Sequence, residues 1–189
     1  MKRKILTSLL LMTILMLAVP AGIVYAKAQP KDITFDLAGS WAEQGYDPET
    51  GDPVSASYDA AVVLTGKISD KGGAKFLSPL HGTMAVGDSE YSIQVKQVKQ
   101  SEPLYGDEMV IYYPNSQQPR MVIVATQGIV EANVEGKKFI GWLDWNSTTM
   151  YYLNGDIMYQ GGGTNLSLSG IVDGKMVSVS LDGGVPEIE

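Results

Sequence analysis

The chain reads as an all-β protein, a single antiparallel β-sandwich or β-barrel with hairpin connections, following an N-terminal signal peptide. Three observations predict this. Helical periodicity is nearly absent after residue 30, and apolar and polar residues alternate instead. Gly, Asp and Asn recur at intervals that suit tight turns between strands. No composition shift divides residues 27–189, so they are expected to form one domain.

Residues 1–26 come first. Lys2, Arg3 and Lys4 form a positive start, and Ile5 to Val19 is an uncharged, mostly apolar run. Pro20 then breaks the helix, and Val24-Tyr25-Ala26 or Ala26-Lys27-Ala28 offers a cleavage site. This is the layout of a secretory signal peptide. The alternative is an uncleaved anchor, because Ile5 to Ala26 gives 22 uncharged residues, enough to cross a bilayer core of roughly 30 Å. In either case the domain is expected outside the cell, secreted or on its surface, and a membrane is contacted only through this segment.

The chain has 189 residues and no cysteine. A secreted domain without disulfides must be held by its core, and residues 27–189 are numerous enough to build one. The net charge is −7, and the three positive charges of residues 2–4 leave 11 positive against 21 negative beyond them, or −10. Such a surface disfavours nucleic acid and anionic lipid, and suits neutral ligands or cations.

In chain order, the candidate strands are 33–37, 54–66, 82–86, 90–98, 108–113, 120–125, 128–134, 138–145, 149–153, 156–160, 165–172 and 175–182. Residues 45–53, 99–107 and 114–119 read as loops. Asp173-Gly174 sets a hairpin that pairs Gly170 with Val177, Leu168 with Val179 and Leu166 with Leu181. Its other face carries Ser167, Ser169, Ser178 and Ser180, expected to face solvent. Glu135-Gly136 is a weaker turn that places Phe139 and Trp145 on one face and Ile140, Trp142 and Asp144 on the other. Asn154-Gly155 is a strong two-residue turn signal. It would pair Met150 with Tyr159 and put Met150, Tyr152, Ile157 and Tyr159 in the core. Gly161-Gly162-Gly163 reads as a link between strands.

Candidate chemistry is sparse. His81 is the only histidine, which removes zinc-type sites and leaves no Ser-His-Asp or Cys-His set. No catalytic residues are nominated, and the chain is expected not to be an enzyme. Calcium is the one possible cofactor, through Asp47, Glu49 and Asp52 in YDPETGDP, although the same residues form ordinary turns. The stretch FIGWLDWNSTTMYYLNGDIMY, residues 139–159, offers a ligand platform of Trp142, Tyr151, Asp144 and Asp156, in which rings stack on a sugar and acids take its hydroxyls. Asn146 and Asn165 begin N-glycosylation sequons.

Gly39-Ser40-Trp41, a G-x-W early in the domain, resembles the lipocalin and avidin barrels. The resemblance covers three residues. It implies an eight-stranded barrel with Trp41 closing one end and small apolar ligands inside. The chain departs from it in offering twelve candidate strands and no cysteine.

The function expected from the sequence is therefore a secreted or cell-surface binding or interaction module. Its partner would be a small molecule, a glycan or a protein. The alternatives are a lipocalin-like ligand carrier, a surface-assembly protein that associates through β-edges, and an enzyme acting on glycans.

Overall fold

In the computed structural model the residues described are 29–71, 74–98 and 104–189, so the expected signal peptide lies outside them. Eleven strands follow one another: β1 (Lys31–Tyr46), β2 (Pro53–Lys71), β3 (Ala74–Leu77), β4 (Leu80–Val86), β5 (Ser89–Gln97), β6 (Tyr105–Tyr112), β7 (Pro119–Val134), β8 (Lys137–Tyr151), β9 (Ile157–Val172), β10 (Lys175–Gly183) and β11 (Glu187–Ile188). The all-β antiparallel expectation holds. Eight of the strands, β1, β2, β4, β5, β7, β8, β9 and β10, each pair with the next, and β10 pairs back with β1. The sheet is thus a closed up-and-down ring, which favours the barrel form of the expectation over the sandwich. Short β3 and β11 flank it on β2 and β1, and β6 flanks it on β7.

Closure follows from the register. From Thr126 the partners run through Trp145, Thr164, Gly183, Leu37, Val62, Met84 and Tyr91. The path returns to β7 two residues past Val134, the partner of Ile93. The stagger is therefore ten residues, from 126 to 136. Such a stagger tilts the strands and narrows the interior until side chains fill it. Phe35, Leu37, Leu64, Met84, Leu143 and Leu166 do so, all essentially out of solvent. Outward positions on β1 and β10 are largely polar, with Asp32, Thr34 and Asp36 on β1 and Ser178, Ser180 and Asp182 on β10, while Val63, Ile140 and Trp142 face outward on β2 and β8.

Strands that coil this tightly approach one another closely, and glycine allows it. A methyl on Gly141 of β8 would overlap the carbonyl oxygen of Ser167, and one on Gly39 of β1 would overlap that of Ser180. The glycine of the G-x-W stretch is therefore a closure point.

The two ends of the ring differ. One is bounded by tight turns at 87–88, 135–136 and 173–174 and by the 47–52 loop. Glu135 and Gly136, like Asp173 and Gly174, all have positive φ, as two-residue hairpin turns require. The registers expected for both hairpins are observed. The other end is plugged by buried Leu77 and Leu104, with Gln97 Oε1 accepting the Leu77 N–H at 3.0 Å. Beyond this plug β7, β8 and β9 continue past the ring. With β6 they form a four-stranded extension, here called the wing.

Several expectations are corrected by this geometry. Residues 120–125 and 128–134 are one strand, as are 138–145 with 149–153 and 156–160 with 165–172. The long strands outlast the ring, so their patterning changes midway without a break. The Gly161–Gly163 run is inside β9. His81, just before the expected strand 82–86 and so read as a loop residue, lies in β4 and is exposed. At residues 153–155 the chain makes a three-residue loop: Tyr152 N–H donates to the Asp156 carbonyl and Gly155 N–H to the Tyr152 carbonyl. Tyr151 then pairs with Ile157, and an irregularity restores Met150 opposite Tyr159. Tyr152, Ile157 and Tyr159 are not core. Each is more than half exposed, because their segment lies outside the ring.

Gly141→Ala should push β8 and β9 apart and open the ring. Thermal denaturation should show a loss of about 2–3 kcal/mol, or roughly 5–10 °C for a domain of this size. An unchanged melting temperature would mean that the strands do not depend on this approach.

Candidate functional site

The residues nominated from sequence do not gather into one site. Trp142 and Asp144 share the outer face of β8, and Trp142 is half exposed beside Ile129 and Ser167. Tyr151 lies seven residues beyond Asp144 on the same strand and, by alternation, on the opposite face. Asp156 sits in the β8–β9 loop, where its carboxylate accepts from Asn154 Nδ2 at 2.6 Å. Asp144 faces Gln127 and Asn165 and lines a hollow of about 170 Å³ with Tyr105, Asp107 and Asn146. Partial burial, and then the charge of Asp182, hold its carboxyl above the ordinary aspartate value.

The 47–52 loop is built around Asp47. Its Oδ1 accepts the Glu49 and Thr50 N–H groups at 2.8 and 3.0 Å, and Thr50 Oγ1 accepts the Asp52 N–H at 3.2 Å. The Thr50 and Glu49 bonds hold the Asp47 carboxyl below its ordinary value. Among the described residues no three His, Asp or Glu side chains converge as metal ligands. The three acids nominated for calcium therefore stand in a loop whose first member caps a turn.

Two other surfaces emerge. The first is the wing. On its outer face Ile111, Met121, Met150 and Tyr159 form a row across β6–β9, and Met109, Ile123, Thr148 and Gly161 form the next. On the inner face the corresponding row is Val110, Val122, Thr149 and Gln160. Beyond the plug the described residues form no second layer over either face. Met109 is 58% exposed and Tyr159 52%. Tyr113 Oη donates to the Tyr151 carbonyl at 2.7 Å and ties the two hairpins together near their tips. Over residues 109–123 and 147–160 the only charges are Arg120 and Asp156, which balance.

The second is the turn-bounded mouth of the ring, a hollow of about 330 Å³. Trp41 and Tyr91 stack there with ring centroids 5.8 Å apart and planes within 6°. Trp41 Nε1 donates to Glu43 Oε1 at 3.1 Å, and Lys175 Nζ meets Glu43 Oε2 at 3.0 Å. One carboxylate thus holds the indole of β1 and the ammonium of β10. The Lys175 bond, followed by the Trp41 bond, keeps the Glu43 carboxyl below its ordinary value. Lys137 and Asp173 add a rim ion pair at 3.0 Å.

Wing residues Met109, Ile111 and Met121 were not singled out from sequence, and Met150, expected in the core, is only half-buried on the wing. The signal of the first three was present in MVIYY and MVIV, short runs apolar on both faces. Such a run fits a strand buried on both sides, and only the ring's register shows that it extends past the core. Comparison with protein-family models, with curated proteins and with solved structures finds no match. The G-x-W resemblance therefore stands on its own residues, beside an eight-stranded ring with buried Trp41 at one end.

Glu43→Ala should leave the buried indole N–H of Trp41 without its acceptor and cost about 1–2 kcal/mol near neutral pH. A carboxyl with a lowered folded pKa stabilises above its unfolded value of 4.5 and loses that contribution as pH falls through the folded value. The gap between wild type and variant should therefore close on acidification below about pH 4.5. A gap independent of pH would refute the charge-assisted contact.

Proposed function

We propose that the chain is a secreted or cell-surface, non-enzymatic interaction module whose contact surface is the β6–β9 wing. One observation carries this reading. A row of large apolar side chains, Ile111, Met121, Met150 and Tyr159, crosses four strands, and Met109 and Ile123 widen it on two of them, on a part of the sheet that among the described residues has no core to cover. Large contiguous exposed apolar patches mark interaction surfaces. Methionine suits such a surface, because its unbranched side chain adapts to a partner's shape. The balanced charge of the distal wing, set against an acidic body, favours a partner with an apolar, uncharged face. Trp142, with Ile129 and Ile140 on the outer face of the ring, adds a flanking apolar patch.

A second reading is small-molecule binding at the ring mouth. It is favoured by the hollow beside the Trp41–Tyr91 stack. The interior below is filled by side chains, so such a ligand would rest on the mouth rather than enter the ring.

A photo-crosslinking amino acid at Met121, on the wing's outer row, should yield a discrete adduct when the protein is irradiated in its own host. The same group at Ser178, on the outer face of β10, should yield none. No adduct from Met121 would sink the wing reading. A bound small molecule recovered from native protein and lost in Tyr91→Ala would favour the mouth.

A further inference from the structure

The wing also has an open backbone edge. β6 pairs with β7 on one side only. Leu104, just before it, donates its N–H to the Lys75 carbonyl at 2.7 Å, on the side away from β7. Alternation along the strand then turns the N–H and C=O groups of Gly106, Glu108 and Val110 toward that same side. Among the described residues nothing pairs with them.

Natural sheets blunt such edges with short strands, lysine, proline or bulges. Elsewhere this fold does so. The flanking strands β3 and β11 are four and two residues long. The wing portion of β9 carries the irregularity opposite Met150 and Tyr151. Val185 lies so near that a methyl on Gly162 would meet its Cγ2 at 2.7 Å. β6 is different. It has no lysine or proline, and its register with β7 is regular from Tyr105 to Ile111 and shifts only beyond it, between Ile111 and Tyr112.

From this edge and its residue pattern we infer that β6 pairs antiparallel with β6 of a second copy, about a two-fold axis at Val110. The inference rests on the wing reading and names the wing's partner. With the axis at Val110, Met109 lies opposite Ile111 of the other copy, and the outer apolar rows of the two wings become continuous. Glu108 and Asp107 then lie opposite Tyr112 and Tyr113 rather than opposite acids. Centring the axis at Glu108 instead would set two carboxylates face to face, which is unfavourable. The N–H and C=O of Val110 point to the open side, so Val110 and its counterpart exchange both backbone bonds, with Cα atoms about 5.5 Å apart. Edge pairing alone buries less than the roughly 800 Å² per partner of a stable interface. The dimer is therefore concentration-dependent.

The cysteine-free chain makes the test direct. Sedimentation velocity of the purified protein, from sub-micromolar to about 100 µM, should show a monomer passing to a dimer. Val110→Pro removes an N–H that faces the open side, where proline is tolerated, and should remain monomeric throughout. Met109→Lys, a gatekeeper charge, should do the same, and circular dichroism should show both folded. Val110→Cys should cross-link to a dimer on mild oxidation, since its Cα separation suits a disulfide. Tyr105→Cys, roughly 30 Å from its counterpart by strand rise, should not. A wild type that stays monomeric overturns the inference, as does association that survives Val110→Pro, or cross-linking of Tyr105→Cys as strong as that of Val110→Cys. A monomer that binds phosphatidylcholine vesicles overturns it in favour of a lipid surface. In-host adducts of Met121 with a different protein would leave the wing reading intact while this inference fails.

Discussion

The pairing of β1 with both β2 and β10 is the constraint on which the rest of the structure depends. A sheet that closes has a single inside, and every strand must present its apolar residues to it. With a stagger of ten residues the interior is too narrow to remain empty, so Phe35, Trp145, Leu143 and their neighbours pack across it. Closure also determines which small residues matter. Gly39 and Gly141 stand where neighbouring backbones approach closely, and a side chain at either would meet a carbonyl oxygen directly.

Closure explains the wing as well. Only the parts of β7, β8 and β9 level with the ring can bury a face. Once these strands run past Thr126, Trp145 and Thr164, the same alternation continues with nothing among the described residues to enclose it. An apolar side chain there loses the stabilisation it would gain in a core, roughly 25 cal/mol for each Å² left in water. The wing is held instead by its ladders and by the Tyr113–Tyr151 bond. At the opposite end the ring makes the contrary choice. Glu43 joins Trp41 to Lys175, and Lys137 meets Asp173 across neighbouring turns. One end is satisfied within the chain, and the other presents unsatisfied surface.

Much of the fold was legible in the sequence because its signals are local. Asp173-Gly174 and Glu135-Gly136 set their registers, and alternation from those turns placed Leu166, Leu168, Phe139 and Trp145 inside. What failed was non-local. Tyr152, Ile157 and Tyr159 obey the alternation of a core face, but whether a face is covered depends on where the ring ends, which no window of sequence contains. The Asn154-Gly155 loop took three residues where two were expected, and the ladder recovered through an irregularity, so the pairing of Met150 with Tyr159 survived a wrong turn. The nominated site residues are dispersed for the same reason. Trp142 and Tyr151 are close in sequence, yet they sit on opposite faces of one long strand.

The same geometry bears on how far self-pairing could extend. A strand that pairs with its own copy about a two-fold axis uses its free edge completely, so the contact closes at two chains. Growth into a fibre would need a second open edge on each wing. The wing portion of β9 offers a poor one, since its register is irregular where it meets Tyr151 and Val185 stands against Gly162. The acids near the start of β6 act in the same direction. Asp107 and Glu108 disfavour registers that slide toward the ring, because these bring carboxylates together. The apolar residues Met109 to Ile111 therefore provide the attraction, while the acids before them and the irregular far edge limit where and how often it can be satisfied.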